Sequence, residues 1–198
     1  ITMKNQLIIM LLFLGTCPFF FGQIERPNVS ENRLKLESEP ALYFNMGRSL
    51  LGSYNITKDN NFSIGLYFMT TNVPESFANR LLTDVAENTS VRVTQEYALN
   101  FRYIFRIFKN IESNPYVGLI AGWENLRLEK EGTETLNIGT LLMTPHIGYE
   151  FYVYKRMLFI NPQFRTAFYF GGSKSDESRP EKINKYMILP SISLGLRL

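Results

Sequence analysis

The chain has 198 residues, with 21 Lys and Arg against 18 Asp and Glu, for a formal charge of +3. That length holds one domain with at most a small appendage. That charge argues neither for nor against nucleic acid, but Lys and Arg form no basic patch interleaved with stacking aromatics, so no nucleic-acid partner is expected. A single Cys excludes an internal disulfide framework and any Cys-rich metal site.

The first segment, ITMKNQLIIMLLFLGTCPFFFGQ, reads as a secretory signal over residues 1–22, with Met3 as its start. Lys4 gives the positive end, Leu7 to Leu14 the apolar stretch, and Gly22 a cleavage position before Gln23. Lipidation at Cys17 is the alternative, but Thr16 before it and Pro18 after it fit that use poorly. Residues 23–40, with Pro27 and Pro40, read as a polar linker that includes a weak strand at Arg33–Glu37. Residues 41–198 form the expected main domain.

From there the dominant period is two, the signature of strands. Over residues 41–52, Leu42, Phe44, Met46 and Leu50 share a face, which Arg48 interrupts. A turn at 53–61 precedes Phe62, Ile64, Leu66 and Phe68, which oppose Ser63, Gly65, Tyr67 and Met69. In residues 75–85, Phe77, Leu81, Leu82 and Val85 recur at helical spacing after Pro74, which predicts a short helix.

The clearest strand is VRVTQEYALNFRYIFR, residues 91–106. Val91, Val93, Tyr97, Leu99, Phe101, Tyr103 and Phe105 fall on one face, with Gln95 the exception. Arg92, Glu96, Asn100, Arg102 and Arg106 fall on the other. In the next strand Trp123 opposes Glu124, and the parity slips before Leu126 and Leu128, which predicts a bulge or a loop. Tyr149 and Phe151 then oppose His146 and Glu150, and Phe164, Phe168 and Phe170 oppose Arg165. The last strand, from about Asn184, sets Ile192, Leu194, Leu196 and Leu198 against Ser191, Ser193, Gly195 and Arg197.

A strand with one face this apolar and the other this charged fits a position between lipid and a polar lumen. The alternation of long polar loops with short turns fits the same arrangement, with Leu198 on the periplasmic side. Seven strands are clear, and a closed even-numbered barrel needs an eighth from the stretch around Arg33–Glu37.

The signal, the aromatic-rich alternating strands and the terminal LPSISLGLRL together resemble the small outer-membrane β-barrel proteins of Gram-negative, Bacteroidetes-type bacteria. The likeness is one of pattern and covers residues 41–198; the family usually ends on an aromatic, and here Leu198 is last. It implies contact with outer-membrane lipid and insertion by the barrel-assembly machinery, and it implies no particular activity.

The expected fold is therefore all-β, an antiparallel up-and-down transmembrane barrel of about eight strands with one short loop helix. Two sets of residues define it. The lumen set is Arg92, Glu96, Arg102, Arg106, Glu124, Glu150, Arg165 and Arg197, with His146 as the lumen histidine. The lipid-facing set is Phe101, Phe105, Tyr149, Phe151, Phe164, Phe168, Leu194, Leu196 and Leu198. Mixed signs allow the lumen charges to pair, and about eight strands leave an interior just wide enough for side chains, so a salt-bridged plug is expected rather than a pore.

The residues argue against catalysis. His146 and Glu150, four apart on one strand face, sit roughly 13 Å from each other. The residue two beyond His146 is Gly148, where a barrel lipid hydrolase would need a Ser. Glycine-rich phosphate loops, HExxH and calcium-loop spacings are all missing from the sequence, so no metal or cofactor is expected. The Asn55-Ile56-Thr57 sequon reads as chance. The expected role is non-enzymatic, in envelope structure or surface interaction. The alternatives are a soluble secreted lipocalin-like barrel around an apolar ligand and a small-solute porin.

Overall fold

A computed structural model describes residues 33–57, 60–83, 89–106, 113–130, 135–154, 157–174 and 182–198. The signal, most of the linker, Cys17 and the tips of several connections lie outside the described residues.

Eight strands form a closed antiparallel barrel: β1 (Leu34–Ser38), β2 (Arg48–Asn55), β3 (Phe62–Val73), β5 (Thr89–Ile104), β6 (Asn114–Lys130), β7 (Leu136–Tyr154), β8 (Leu158–Lys174) and β10 (Tyr186–Arg197). Each pairs with its neighbour in the chain, apart from two small inserts, and β1 closes the ring on β10 through Lys35 opposite Arg197 and Ser38 opposite Leu194. The eighth strand thus comes from LKLES, inside the stretch read as linker. The inserts are β4 (Leu82–Thr83) and β9 (Lys182–Ile183), which pair with each other at the end of the barrel away from the termini.

Alternation decides which way each side chain points, because successive residues of a strand face opposite sides. On β10, Leu194, Leu196 and Leu198 are exposed on the outside, and Ser193, Gly195 and Arg197 are buried within. Gly195 faces inward where an added Cβ would lie 2.2 Å from the Phe159 ring. A large side chain can therefore cross the interior only because its opposite number has none.

Three sequence expectations fail locally. Residues 41–47 are not strand. Pro40 sits in the first turn of a short helix, α1 (Pro40–Tyr43), as its fixed φ and missing N–H allow. A tight turn follows in which Met46 takes φ 53°. Gly47 then passes so close to β3 that a Cβ would lie 2.4 Å from the Thr70 carbonyl oxygen. Leu42, Phe44 and Met46 therefore share no strand face. The connector bridges two strands: α1 packs on β10, and the Asn45 carbonyl accepts the Asn72 amide of β3 at 3.1 Å.

The second failure is in β5. Its registers with both β3 and β6 shift beside Thr94. This extra residue is a bulge, and it reverses parity. Val91 and Val93 point inward and Arg92 outward, while Gln95 is in step with Tyr97 and Leu99. The slip expected in β6 is absent: Glu124, Leu126 and Leu128 all face inward in unbroken alternation. What changes there is the character of the interior, from charged to apolar.

The interior accordingly has two layers. Towards the termini it is charged. Towards the far end Val91, Val93, Leu126, Leu128, Leu136, Ile138, Leu142, Tyr169 and Met187 form an apolar core. Helix α2 (Glu75–Leu81) and β4 descend into it, burying Ala78, Leu81 and Leu82. The helix expected over residues 75–85 is present in its first seven residues.

Candidate functional site

The charged layer is built from the short β1 outward. Lys35 Nζ reaches both Glu150 oxygens, at 2.7 and 2.9 Å. Arg102 forms a forked pair with Glu37, and its Nη1 lies 3.7 Å from Glu150. Two neutral donors complete Glu37: Asn161 Nδ2 at 2.9 Å and Ser193 Oγ at 2.8 Å. The four charges Lys35, Glu150, Arg102 and Glu37 thus form one chain of alternating sign, all buried. Breaking such a chain at one member leaves an uncompensated charge in a poorly solvated place.

A second group lies nearer the middle. Arg165 Nη2 pairs with Glu39 at 2.8 Å, and Tyr67 donates its hydroxyl to the same Glu39 oxygen at 2.8 Å. Aromatic faces carry the cations: Arg102 stands 4.8 Å from the Tyr116 ring centre, Arg165 5.5 Å from Tyr67 and Arg197 5.9 Å from Tyr152. A guanidinium over a ring face is stabilised by the ring quadrupole. Tyr116 in turn donates to Asn161 at 2.9 Å. Among the described residues, Glu37, Ser38, Glu39, Ser49, Leu51, Tyr67, Arg102, Arg165 and Ser193 line a small cavity beside the end of β1.

Of the lumen residues expected from sequence, Glu96, Arg102, Glu124, Glu150, Arg165, Arg197 and His146 lie inside. Two do not. Arg92 is turned outward by the Thr94 bulge, and Arg106 follows the end of β5 at Ile104 and is exposed. The network instead gains Lys35, Glu37 and Glu39, together with Tyr67, Tyr116 and Asn161. The signal for the first two was in LKLES, where Lys35 and Glu37 alternate with Leu34 and Leu36. The sequon residue Asn55 ends β2 with its side chain buried inside.

His146 is 3% exposed, with Nδ1 3.3 Å from the Thr144 carbonyl oxygen and its ring edge-on to Tyr116. Gly118 opposite leaves room for the imidazole. Glu150 is committed to Lys35 and Arg102, so the described residues bring no carboxylate or hydroxyl to His146 for proton transfer. Its Nε2 is buried without a hydrogen-bond partner among the described residues.

One pair is unfavourable as it stands. Glu96 and Glu124 are directly opposite on β5 and β6, both point inward, and Glu124 Oε1 has no hydrogen-bond partner. Like charges in directly opposed positions are destabilising. Glu124→Gln is therefore expected to raise the stability by up to about 1 kcal/mol, read as a higher urea midpoint of unfolding.

On the outer face, Phe105, Phe164, Phe168, Leu194, Leu196 and Leu198 are exposed, and Phe101, Tyr149 and Phe151 are half-buried among their neighbours. Tyr149 and Phe151 pack ring to ring at 4.3 Å. Tyr97, Tyr103, Trp123, Phe170, Ile147, Ile188 and Ile192 continue the same exposed apolar surface around the wall.

An eight-stranded barrel, apolar outside and charged or filled inside, defines a structural class that solved structures share. The chain superposes on Neisserial surface protein A with a TM-score of 0.51 at 10% identity, covering 83% of this chain and 90% of that one. It superposes on a major outer membrane protein from Thermus thermophilus with a TM-score of 0.51 at 9% identity, covering 85% of this chain and 100% of the other. These likenesses establish the fold. No family model matches the chain, and no curated protein matches its sequence.

Proposed function

We propose that this is an outer-membrane β-barrel protein with a non-enzymatic role in envelope structure or surface interaction, and that its lumen is closed by its own side chains. The observation that carries this reading is the orientation of the wall. Large apolar residues such as Leu66, Ile147 and Ile192 are more than half exposed, while Lys35, Glu37, Arg102 and Glu150 are all buried within. Contiguous apolar surface on that scale is unfavourable in water and favourable in hydrocarbon. A lipocalin-like barrel needs the opposite orientation, with its charged face in water. A porin needs an open passage, whereas here paired charges and the α2–β4 insert occupy the described interior.

In this reading the Phe and Leu positions of the outer face contact lipid, a cleaved signal directs export, and the barrel-assembly machinery is the partner in insertion. The far-end loops carry whatever surface specificity the protein has. Fractionation with a heat-modifiability gel tests the proposal. The protein is expected in the outer-membrane fraction, with a mobility shift on boiling. Recovery in the soluble periplasmic fraction with no shift overturns it.

A further inference from the structure

The Thr94 bulge of β5 brings two cations together on the outer wall. It turns Arg92 outward, and Arg92 is the register partner of Arg127 on β6, which is outward as well. Bulges at barrel rims commonly re-aim a side chain in this way. Directly opposed residues on one face have Cβ atoms about 4.5–5.5 Å apart, so the two guanidinium groups are neighbours. Like charges so placed are destabilising when nothing lies between them. The bulge is nonetheless tied down, by Thr94 to the Asn125 carbonyl oxygen and by Thr70 to the Val93 carbonyl oxygen.

Counter-charge around the pair is sparse. The row across the wall runs from Asn72 on β3 through Arg92 and Arg127 to Asn137 on β7. Arg92 makes no ion pair among the described residues. Arg127 gives its Nε to Glu129 Oε1 at 2.6 Å, with both side chains half exposed. An exposed pair of that kind contributes at most about 1 kcal/mol. Among the described residues, one carboxylate therefore serves two guanidinium groups.

Towards the termini the same two strands become apolar. Gln95 and Asn125 come first, then Tyr97 opposite Trp123, both exposed. Trp123 donates its indole N–H to Asn125 Oδ1 at 2.9 Å, which sets its polar edge towards the arginine row. Leu99, Phe101 and Tyr103 continue the stripe along β5, and Leu119 and Val117 along β6. Hydrocarbon, aromatic girdle and polar edge follow in that order at a membrane interface. Four residues from Trp123 to Arg127, at about 3.3 Å each and tilted by about 40°, place the arginine row about 10 Å beyond the girdle. The headgroup zone is about 5–8 Å deep on each side of the hydrocarbon, and a long arginine side chain spans the remainder.

We propose that Arg92 and Arg127 together bind the phosphate group of a membrane lipid, whose acyl chains lie along the Tyr97–Trp123 stripe. The proposal rests on the membrane-spanning reading above. In that reading the end of the barrel away from the termini is the outer side, so the lipid belongs to the outer leaflet. A planar guanidinium matches the geometry of phosphate oxygens, and charge-assisted bonds of this kind are among the strongest a side chain makes. A shared anion converts the Arg92–Arg127 juxtaposition from repulsive to attractive, which gives the bulge a purpose. Without the extra residue at Thr94, Arg92 points into the barrel and the site has a single cation.

Trp123 is the single tryptophan of the chain and lies in the stripe, so its fluorescence reports on an occupant. The protein is held in dodecyl maltoside micelles, which carry no phosphate, and titrated with phosphatidic acid brominated on its acyl chains. Bromine quenches tryptophan fluorescence on contact. Half-quenching of the native protein is expected at a lipid fraction about tenfold lower than for Arg92→Gln with Arg127→Gln, the loss that removal of charge-assisted hydrogen bonds produces. Arg48→Gln, which removes an exposed cation opposite Thr70 on β3, is expected to leave the titration unchanged. Equal half-quenching of native protein and double variant, or an equal loss in Arg48→Gln, overturns the proposal. Brominated diacylglycerol has the same chains and no phosphate. If it quenches Trp123 as readily as phosphatidic acid does, the wall faces lipid but the phosphate site fails. If neither lipid quenches Trp123, the membrane-spanning reading fails with it. Inorganic phosphate is expected to displace phosphatidic acid no better than chloride does, and displacement by phosphate alone overturns the assignment to a lipid.

Discussion

Glu37→Gln is expected to cost about 3–5 kcal/mol of barrel stability. The amide keeps the shape of the side chain but not its charge. Arg102, 2% exposed, then faces only the more distant Glu150, which already neutralises Lys35. Asn161 and Ser193, both donors to Glu37 in the native barrel, compete for what acceptor capacity remains. Urea titration of protein refolded into vesicles measures the loss. Glu37→Met with Arg102→Met is expected to recover most of it, because removing both members of a buried pair leaves neither charge stranded. A double variant as weak as Glu37→Gln would show that the pair contributes through packing rather than through charge.

The second large effect concerns the outer face. Phe164 lies midway along β8, opposite Ile147 on one side and Pro190 on the other. Phe164→Arg is expected to cost about 2–4 kcal/mol, the penalty for a cation at the middle of a bilayer. Phe170→Arg, six residues nearer the far end on the same face, is expected to cost at most about 1 kcal/mol, because burial cost falls towards the interface. Refolding yield and urea midpoint in vesicles give both values. Equal costs at the two positions would contradict a lipid belt centred on Phe164, whatever the fractionation shows.

Much of this architecture can be read from the sequence because one rule governs it. Wherever a strand runs long, as from Leu136 to Tyr154 or Tyr186 to Arg197, alternation assigns inside and outside residue by residue. Alternation fails where one residue is added. Thr94 donates its hydroxyl to the Asn125 carbonyl oxygen, and the Thr70 hydroxyl donates to the Val93 carbonyl oxygen, so two side-chain hydroxyls tie the bulge across three strands. Nothing in VRVTQEY announces those distant partners, and parity alone therefore puts Arg92 inside. Arg106 is misassigned for a simpler reason, that parity says nothing about where a strand ends.

The site is less legible than the wall. Lys35, Glu37 and Glu39 are the keystones of the charge network, yet five residues are too few for a period of two to stand out from a polar linker. Their role depends on partners 28 to 156 residues away, among them Tyr67, Arg102, Glu150 and Ser193. Such contacts exist only once the ring has closed. The false strand over Leu42, Phe44 and Met46 comes from the same limit: a short helix and a turn can carry exposed apolar residues whose spacing has no periodic meaning.

The position of those keystones at the start of the chain has a kinetic consequence. Before β1 docks, the partly formed sheet from β2 to β10 presents Arg102, Arg165 and Glu150 without their principal partners. The last event of assembly, pairing of β1 with β10, supplies Lys35, Glu37 and Glu39 together. Closure joins the most widely separated strands of the barrel, so it bears the largest loop-entropy cost, and it is also the step that gives Arg102 and Arg165 their nearest carboxylates. An unclosed barrel therefore leaves Arg102 only the more distant Glu150 and leaves Arg165 without Glu39. Completion of the ring becomes an all-or-none event, and a chain lacking residues 34–38 would stall as an open sheet rather than settle into a smaller barrel.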